Sequence, residues 1–246
     1  MLKHLPDDFT AVITGAGGGI GRAMLEALLA SHRPGHVIAV SRQALEHDDP
    51  RLVHLALDIT TDEGLATLAA HLEATKVHLI FNAIGTLHDE KRGIAPEKKL
   101  DDLSFAALEH LFYVNAATPA MLLKTLSPSL KGKHPAIFAS LSARVGSIGD
   151  NGLGGWYAYR ASKAAHNMLL KGASVELKRL NKQAILLNLH PGTTDTALSE
   201  PFQARVPDGK LFTPSFVAEH LLEVMNDRTP ADSGSFWDWA GEPIPW

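Results

Sequence analysis

The 246-residue chain has no cysteine. Disulfides, thiolate metal ligands and cysteine nucleophiles are therefore excluded, and a reducing compartment fits. No run of Lys or Arg forms a basic stripe, and the formal net charge is −4, so no nucleic-acid partner is expected. No window holds the roughly 20 apolar residues of a membrane-spanning helix. The N-terminal MLKHLPDDFTAVITG lacks a signal-peptide h-region. The expectation is a cytoplasmic protein without a membrane partner. Thirteen histidines are scattered, with neither H-E-x-x-H nor a close His–carboxylate cluster, so no metal is expected. No Gly-x-Ser-x-Gly elbow is present, which disfavours an α/β-hydrolase. Without an internal repeat or a low-complexity linker, residues 1–246 read as a single domain.

What the chain does have is rhythm. FTAVIT (9–14), HVIAV (36–40), LVHLAL (52–57), VHLIFNA (77–83), AIFAS (136–140) and AILLNL (184–189) are short and nearly all apolar, as strands buried on both faces of a parallel sheet are. Amphipathic segments lie between them, around 20–31, 62–74, 101–126 and 157–181. This alternation predicts an α/β fold: a Rossmann-like, doubly wound parallel sheet of about seven strands with helices on both faces. Two stretches break the rhythm. Residues 86–102 are charged and read as a solvated loop. Residues 190–214 carry four prolines and read as a binding loop or lid that packs against something.

Between the first strand and helix lies TGAGGGIG. It fits neither G-x-G-x-x-G nor the P-loop; it fits T-G-x-x-x-G-I-G on Thr14, Gly15, Gly19, Ile20 and Gly21. Glycines there let the backbone turn tightly and approach a pyrophosphate at a helix N-terminus. At the end of the second strand, where a carboxylate usually binds the ribose 2′-hydroxyl of NAD, stand Ser41 and Arg42. A guanidinium can hold a 2′-phosphate, so NADP(H) is the expected cofactor.

GGWYAYRASK (154–163) holds two tyrosines and a lysine. On a helix, Tyr159 and Lys163 share a face one turn apart, whereas Tyr157 would pair with Ala161. The spacing selects Tyr159. An ammonium ~4 Å from a phenol, at an effective dielectric of ~20, is worth ~4 kcal/mol, or roughly three pKa units. The lysine is thus expected to bring the tyrosine towards neutral pH, where an acid–base works best.

With these motifs in this order, the chain resembles the classical short-chain dehydrogenase/reductase family. The likeness runs over nearly its whole length, through TGAGGGIG (14–21), LDI (57–59), NAIG (82–85), VNA (114–116), SLSARVGS (140–147), YRASK (159–163) and HPGTTDT (190–196). ARVGSIGDN followed by GGWYAYRASKAA is similar to the C-factor-like and sniffer-like carbonyl reductases. The resemblance implies that Tyr159 is the general acid in carbonyl reduction and Ser142 bonds the substrate oxygen. Lys163 would bind the nicotinamide ribose and lower the tyrosine pKa, and Asn115 would hold a water linking Lys163 to solvent. For the cofactor it implies Gly15, Gly18, Gly19, Ile20 and Gly21 at the pyrophosphate, and Asp58 and Ile59 beside the adenine. Asn82, Ala83 and Gly85 would lie along the sheet, with Pro191, Gly192 and Thr193 at the carboxamide.

The chain also departs from the family. Phe81 and Ile84 intrude into the usual N-N-A-G, and a Gly-rich insertion, GDNGLGGW, lengthens the gap from Ser142 to Tyr159, leaving Ser140 as a rival serine. His190 stands next to the Pro191–Gly192 loop and reads as a packed or solvent-facing side chain. SGSFWDWAGEPIPW, with three of four tryptophans, reads as core plus interface. The expected activity is NADPH-dependent reduction of a small ketone or aldehyde. A 3-oxoacyl-thioester reductase and a dinucleotide-binding signalling protein are the alternatives. A homodimer or homotetramer is the assembly the resemblance implies.

Overall fold

The computed structural model describes residues 1–246 apart from the side chain of Arg205. In chain order the elements begin β1 (Phe9–Thr14), α1 (Gly19–Ala30), β2 (Pro34–Ser41), β3 (Leu52–Ala56), α2 (Asp62–His71) and β4 (Leu79–Asn82). There follow α3 (Phe105–Phe112), a π-helical turn (Tyr113–Ala117), α4 (Thr118–Leu130), β5 (Ala136–Leu141), α5 (Tyr157–Leu180) and β6 (Ala184–His190). The chain continues with the short pair β7 (Thr193–Thr194) and β8 (Leu211–Phe212), then α6 (Pro214–Asn226) and β9 (Ser235–Asp238).

Seven strands form one sheet in the order β3-β2-β1-β4-β5-β6-β9. Every neighbouring pair is parallel. A parallel strand needs a crossover to return, and the crossover helices cover both faces. Successive side chains therefore enter two different cores. Ile13, Phe81 and Leu187 point to the face covered by Met24 and Leu28 of α1 and by Leu221 and Met225 of α6. Val12, Ile80, Phe138 and Leu186 point to the opposite face, against Leu68 of α2, Leu122 and Leu126 of α4 and Leu170 of α5. This two-sided burial is why the five inner strands carry no polar alternation; the edge strands β3 and β9 are only partly covered.

The expected fold class is thus the observed one, with two additions. α6 lies beyond the stretch read as irregular; Thr213 caps it, its side chain accepting from the Phe216 N–H at 3.2 Å, and Pro214 opens it. The C-terminal tryptophan segment supplies β9, the seventh strand, whose Phe236 is buried and stacks on Trp246 with ring centroids 5.8 Å apart. The charged stretch 86–102 is a loop with two short 3-10 turns.

Candidate active site

The strand order reverses between β1 and β4, and the crevice outside the C-terminal strand ends at such a point is where α/β sheets bind ligands. Gly15 ends β1 at φ +75°. A Cβ on Gly21 would lie 2.2 Å from the Gly15 carbonyl oxygen, and one on Gly19 would lie 2.6 Å from Thr196. Bare glycines therefore let α1 sit directly on the turn. Gly18 is its N-cap, with no side-chain cap and no acidic residue in the first turn. The open N–H groups and the positive end of the helix dipole are left to an anion.

At the end of β2 the two predicted residues differ. Ser41 is buried, its hydroxyl 2.7 Å from the Gln43 carbonyl oxygen and 2.9 Å from His54 Nε2. Arg42 is exposed and makes no ion pair within 4.0 Å among the described residues. Burial works to raise the Asp58 carboxyl. Hydrogen bonds from the Thr60 hydroxyl (2.7 Å) and N–H (3.0 Å), with the nearby Arg42 charge, outweigh it and hold Asp58 below the usual carboxylate range. The Ile59 side chain is in the core, which leaves its backbone to face a ligand.

Thr14, Asn82 and Ser140 are register partners across β1, β4 and β5. The Thr14 hydroxyl donates to Asn82 Oδ1 at 2.7 Å, and Asn82 Nδ2 donates to Ser140 Oγ at 2.8 Å. All three are fully buried. Asn82 and Ser140 thus lock the sheet beneath the crevice. Ser142, two residues on, lines the cavity, and its hydroxyl donates to Asn167 Oδ1 at 2.6 Å.

Tyr159 and Lys163 lie one turn apart on α5, both buried and both lining that cavity. Lys163 Nζ donates to the Leu141 carbonyl at 2.9 Å and stands 5.9 Å from the centroid of the tyrosine ring. The expected lowering of the phenol is not seen. Burial, the dominant influence, pushes Tyr159 up and pulls Lys163 down to about 8, because both charged forms lose water. The ammonium turns towards a carbonyl rather than the phenol.

Asn115 sits in the π-turn between α3 and α4, a feature frequent at functional sites. Its side chain holds the Thr86 N–H and carbonyl, each at 2.8 Å, and donates to Ser162 Oγ at 3.0 Å. Its carbonyl is 3.0 Å from His166 Nδ1, which fixes the proton on that nitrogen. Burial, helped by the Lys163 charge, pulls His166 down to about 3, so the ring is neutral. His190 lines the cavity; burial, then the Arg144 charge, pulls it down to about 4.

The cavity measures about 340 Å³. It gathers Gly18, Gly19, Ile20, Gly21, Ala83, Gly85, Ser142, Tyr159, Lys163, Pro191, Gly192 and Thr193. Gly15, Ser41, Arg42, Asp58, Ile59, Asn82 and Asn115 are not on its wall; they form its hinge, its floor and the strand ends beside it. Leu87, Leu198 and Phe202 on the wall had no motif to announce them, whereas Arg144, Val145 and Trp156 lie inside quoted motifs that gave them no role. Asn167, which holds Ser142, did have a signal, since it follows Lys163 by the same helical turn that separates Lys163 from Tyr159.

The family model described as short chain dehydrogenase matches residues 9–206. C-signal of Myxococcus xanthus is 33% identical over 147 residues, covering 60% of this chain and 83% of that protein. The NADPH-bound carbonyl reductase from chicken fatty liver superposes with a TM-score of 0.83 at 25% identity, covering 100% of this chain and 96% of the other. The Sniffer carbonyl reductase of D. melanogaster shares the fold, with a TM-score of 0.82 at 22% identity over 98% of this chain and 100% of that one. The chain belongs to the short-chain dehydrogenase family, and it is an oxidoreductase of that family.

Proposed function

We propose that the protein is an NADPH-dependent carbonyl reductase. The observation that carries the reading is one cavity shared by Ser142, Tyr159 and Lys163 and by the uncapped glycine start of α1. The side-chain-free cradle at Gly15, Gly19 and Gly21 suits a pyrophosphate, and the exposed Arg42 suits a 2′-phosphate. Ser41, whose hydroxyl is already engaged, contributes shape rather than charge. Bound NADPH supplies the hydride that a carbonyl carbon receives. Tyr159, kept protonated by burial, gives its proton to the carbonyl oxygen as negative charge develops there. The Ser142 hydroxyl, which donates to Asn167 Oδ1 in this structure, turns its one proton to the same oxygen when the substrate is bound, since a donor aimed at a forming alkoxide stabilises it. Lys163 binds the ribose hydroxyls, and Asn115 braces the Thr86 segment beside it. A phenol pushed upwards by burial is protonated near neutral pH, so it holds the proton that the reduction needs.

The test is NADPH oxidation with a ketone and aldehyde panel, including a 3-oxoacyl thioester. Tyr159→Phe is expected to lose nearly all turnover with NADPH affinity kept; undiminished turnover overturns the assignment. Arg42→Ala is expected to weaken NADPH far more than NADH. The likeness to C-signal supports a second reading, a dinucleotide-binding signalling protein. If no carbonyl is reduced while NADPH still binds, that reading takes over. We further infer that two copies pair through α3 and α5, and that the protein works in the cytoplasm.

A further inference from the structure

Gly154, Gly155 and Trp156 are three consecutive left-handed residues, with φ of +65°, +66° and +51°. For the two glycines this is free, but for a tryptophan it is a true outlier. Such strain persists only where the surroundings enforce it, and it clusters at functional sites. The enforcement here comes from Glu97. Its carbonyl accepts the Trp156 N–H at 2.6 Å, and its buried carboxylate accepts the Ala158 N–H at 3.3 Å, in the first turn of α5. From behind, Arg160 Nε donates to the Gly155 carbonyl at 2.9 Å.

The strained turn delivers the indole onto the cavity wall beside the proposed acid. Its ring centroid is 6.2 Å from that of Tyr159, edge-on at 72°. On its other side stands Phe202, 5.3 Å away and tilted by 59°. Leu87, Val145 and Leu198 complete this end of the cavity. Arg144, the one cation there besides Lys163, faces Asp150 and Asp238 at 3.9 and 3.6 Å. An anionic substrate therefore finds an arginine already matched by two carboxylates, whereas a neutral ring finds an aromatic wall.

We propose that the preferred substrates are aryl ketones and aryl aldehydes, their ring extending the aromatic array of Trp156 and Phe202 while the carbonyl meets Tyr159. This rests on the carbonyl-reductase reading above. Aromatic rings gain from such an array beyond the area they bury, and a saturated ring of equal bulk does not. The reaction is balanced: the carbonyl carbon gains a hydride, its oxygen gains a proton, and NADPH leaves as NADP⁺.

Benzaldehyde and cyclohexanecarbaldehyde, and the matching methyl ketones, make the test. Conjugation renders the aryl carbonyl the less electrophilic of each pair, so an aryl preference cannot come from intrinsic reactivity. The expected result is kcat/KM about tenfold or more in favour of the aryl member, a margin typical of pocket discrimination. Phe202→Leu and Trp156→Leu are expected to bring the ratio close to one, with NADPH fluorescence titration reporting whether each variant is folded. Phe202 lies in a short 3-10 turn outside the main elements, so its variant keeps the test open if Trp156→Leu fails to fold. Equal or reversed preference in the unaltered protein overturns the inference and leaves the reductase standing. A preference that survives both substitutions also overturns it, since the wall is then not its source. No NADPH-dependent turnover of any carbonyl removes the reductase reading and this one together.

Discussion

At the scale of single residues, the choice of Tyr159 over Tyr157 as the partner of Lys163 was legible from spacing, and the surrounding motifs gave the pair its meaning, but its electrostatics were not legible. Spacing places two side chains on one helical face. It does not say that Lys163 Nζ turns to the Leu141 carbonyl, or that both groups lose their water. The consequence is a defined pH dependence. Tyr159 is raised by burial and stays protonated through the neutral and mildly alkaline range. Lys163, lowered to about 8, loses its charge above that pH. The reductive kcat/KM, which reports the free enzyme, is therefore expected to hold steady below pH 8 and fall above it. A pH–rate profile checks this, and Lys163→Arg is expected to remove the break from the accessible range. The same blindness applied to the serines. Ser140 lies within β5 and Ser142 just past its end; two residues apart they share one side of the pleat, and only where the strand stops decides which is locked to Asn82 and which reaches the cavity.

At the scale of elements, what reads poorly is close approach between segments distant in sequence. Gly146, in the short turn after Ser142, looks like any loop glycine. A Cβ there would lie 2.7 Å from Lys163 Cβ and 2.8 Å from the Lys163 carbonyl carbon. Helix backbone cannot yield to it. Gly146→Ala is expected to overpack the junction by about 1–3 kcal/mol, and a thermal melt should show a midpoint several degrees lower, at roughly 2–4 °C per kcal/mol for a domain of this size. Gly152→Ala, with nothing within 4 Å of its added carbon, is the matched control and should melt like the unaltered protein. Five of the six strands read as apolar runs were found because two-sided burial imprints itself on composition; the sixth, β3, is an edge strand with no residue fully buried. β9 went unassigned because its four residues carry two aromatics in a tryptophan-rich tail, which fits core, interface and strand alike. α6 was missed although Thr213–Pro214 and the apolar spacing of Val217, Leu221 and Met225 announce it; the preceding irregular stretch masked its start. The α3–α4 segment read as one helix, and nothing in its periodicity marks the π-turn that sets Asn115 inward.

At the scale of the whole molecule, one face exposes large apolar side chains. Phe105 is 91% exposed on α3, and Met168 and Val175 are 71% and 53% exposed on the adjoining α5. Gly172 lies between them along the helix with open space above it, so another helix can approach closely. Scattered apolar side chains on a surface are ordinary, but a contiguous strip of them marks an interaction site. A second copy of the chain is the expected occupant, matching the face to itself about a two-fold axis. Light scattering coupled to gel filtration should return twice the monomer mass, and Met168→Glu with Val175→Glu should return the monomer. A monomer in the unaltered protein removes the pairing.

The strand order also governs how the molecule is made. β1 bonds to β2, its near neighbour in sequence, but also to β4, and Thr14 must find Asn82 across the whole of the intervening chain. β6 bonds to β9 across a crossover that contains α6. Closing such long loops precedes any reward from the contacts they permit, so a sheet of this kind forms slowly compared with a helical bundle of equal size. During synthesis the glycine turn and the first half of the sheet emerge well before the strand ends that carry Ser142 and the α5 pair. The crevice exists only when both halves meet. Until then the central strands, apolar on both sides, remain open to wrong partners, and refolding yield in the test tube should fall as protein concentration rises.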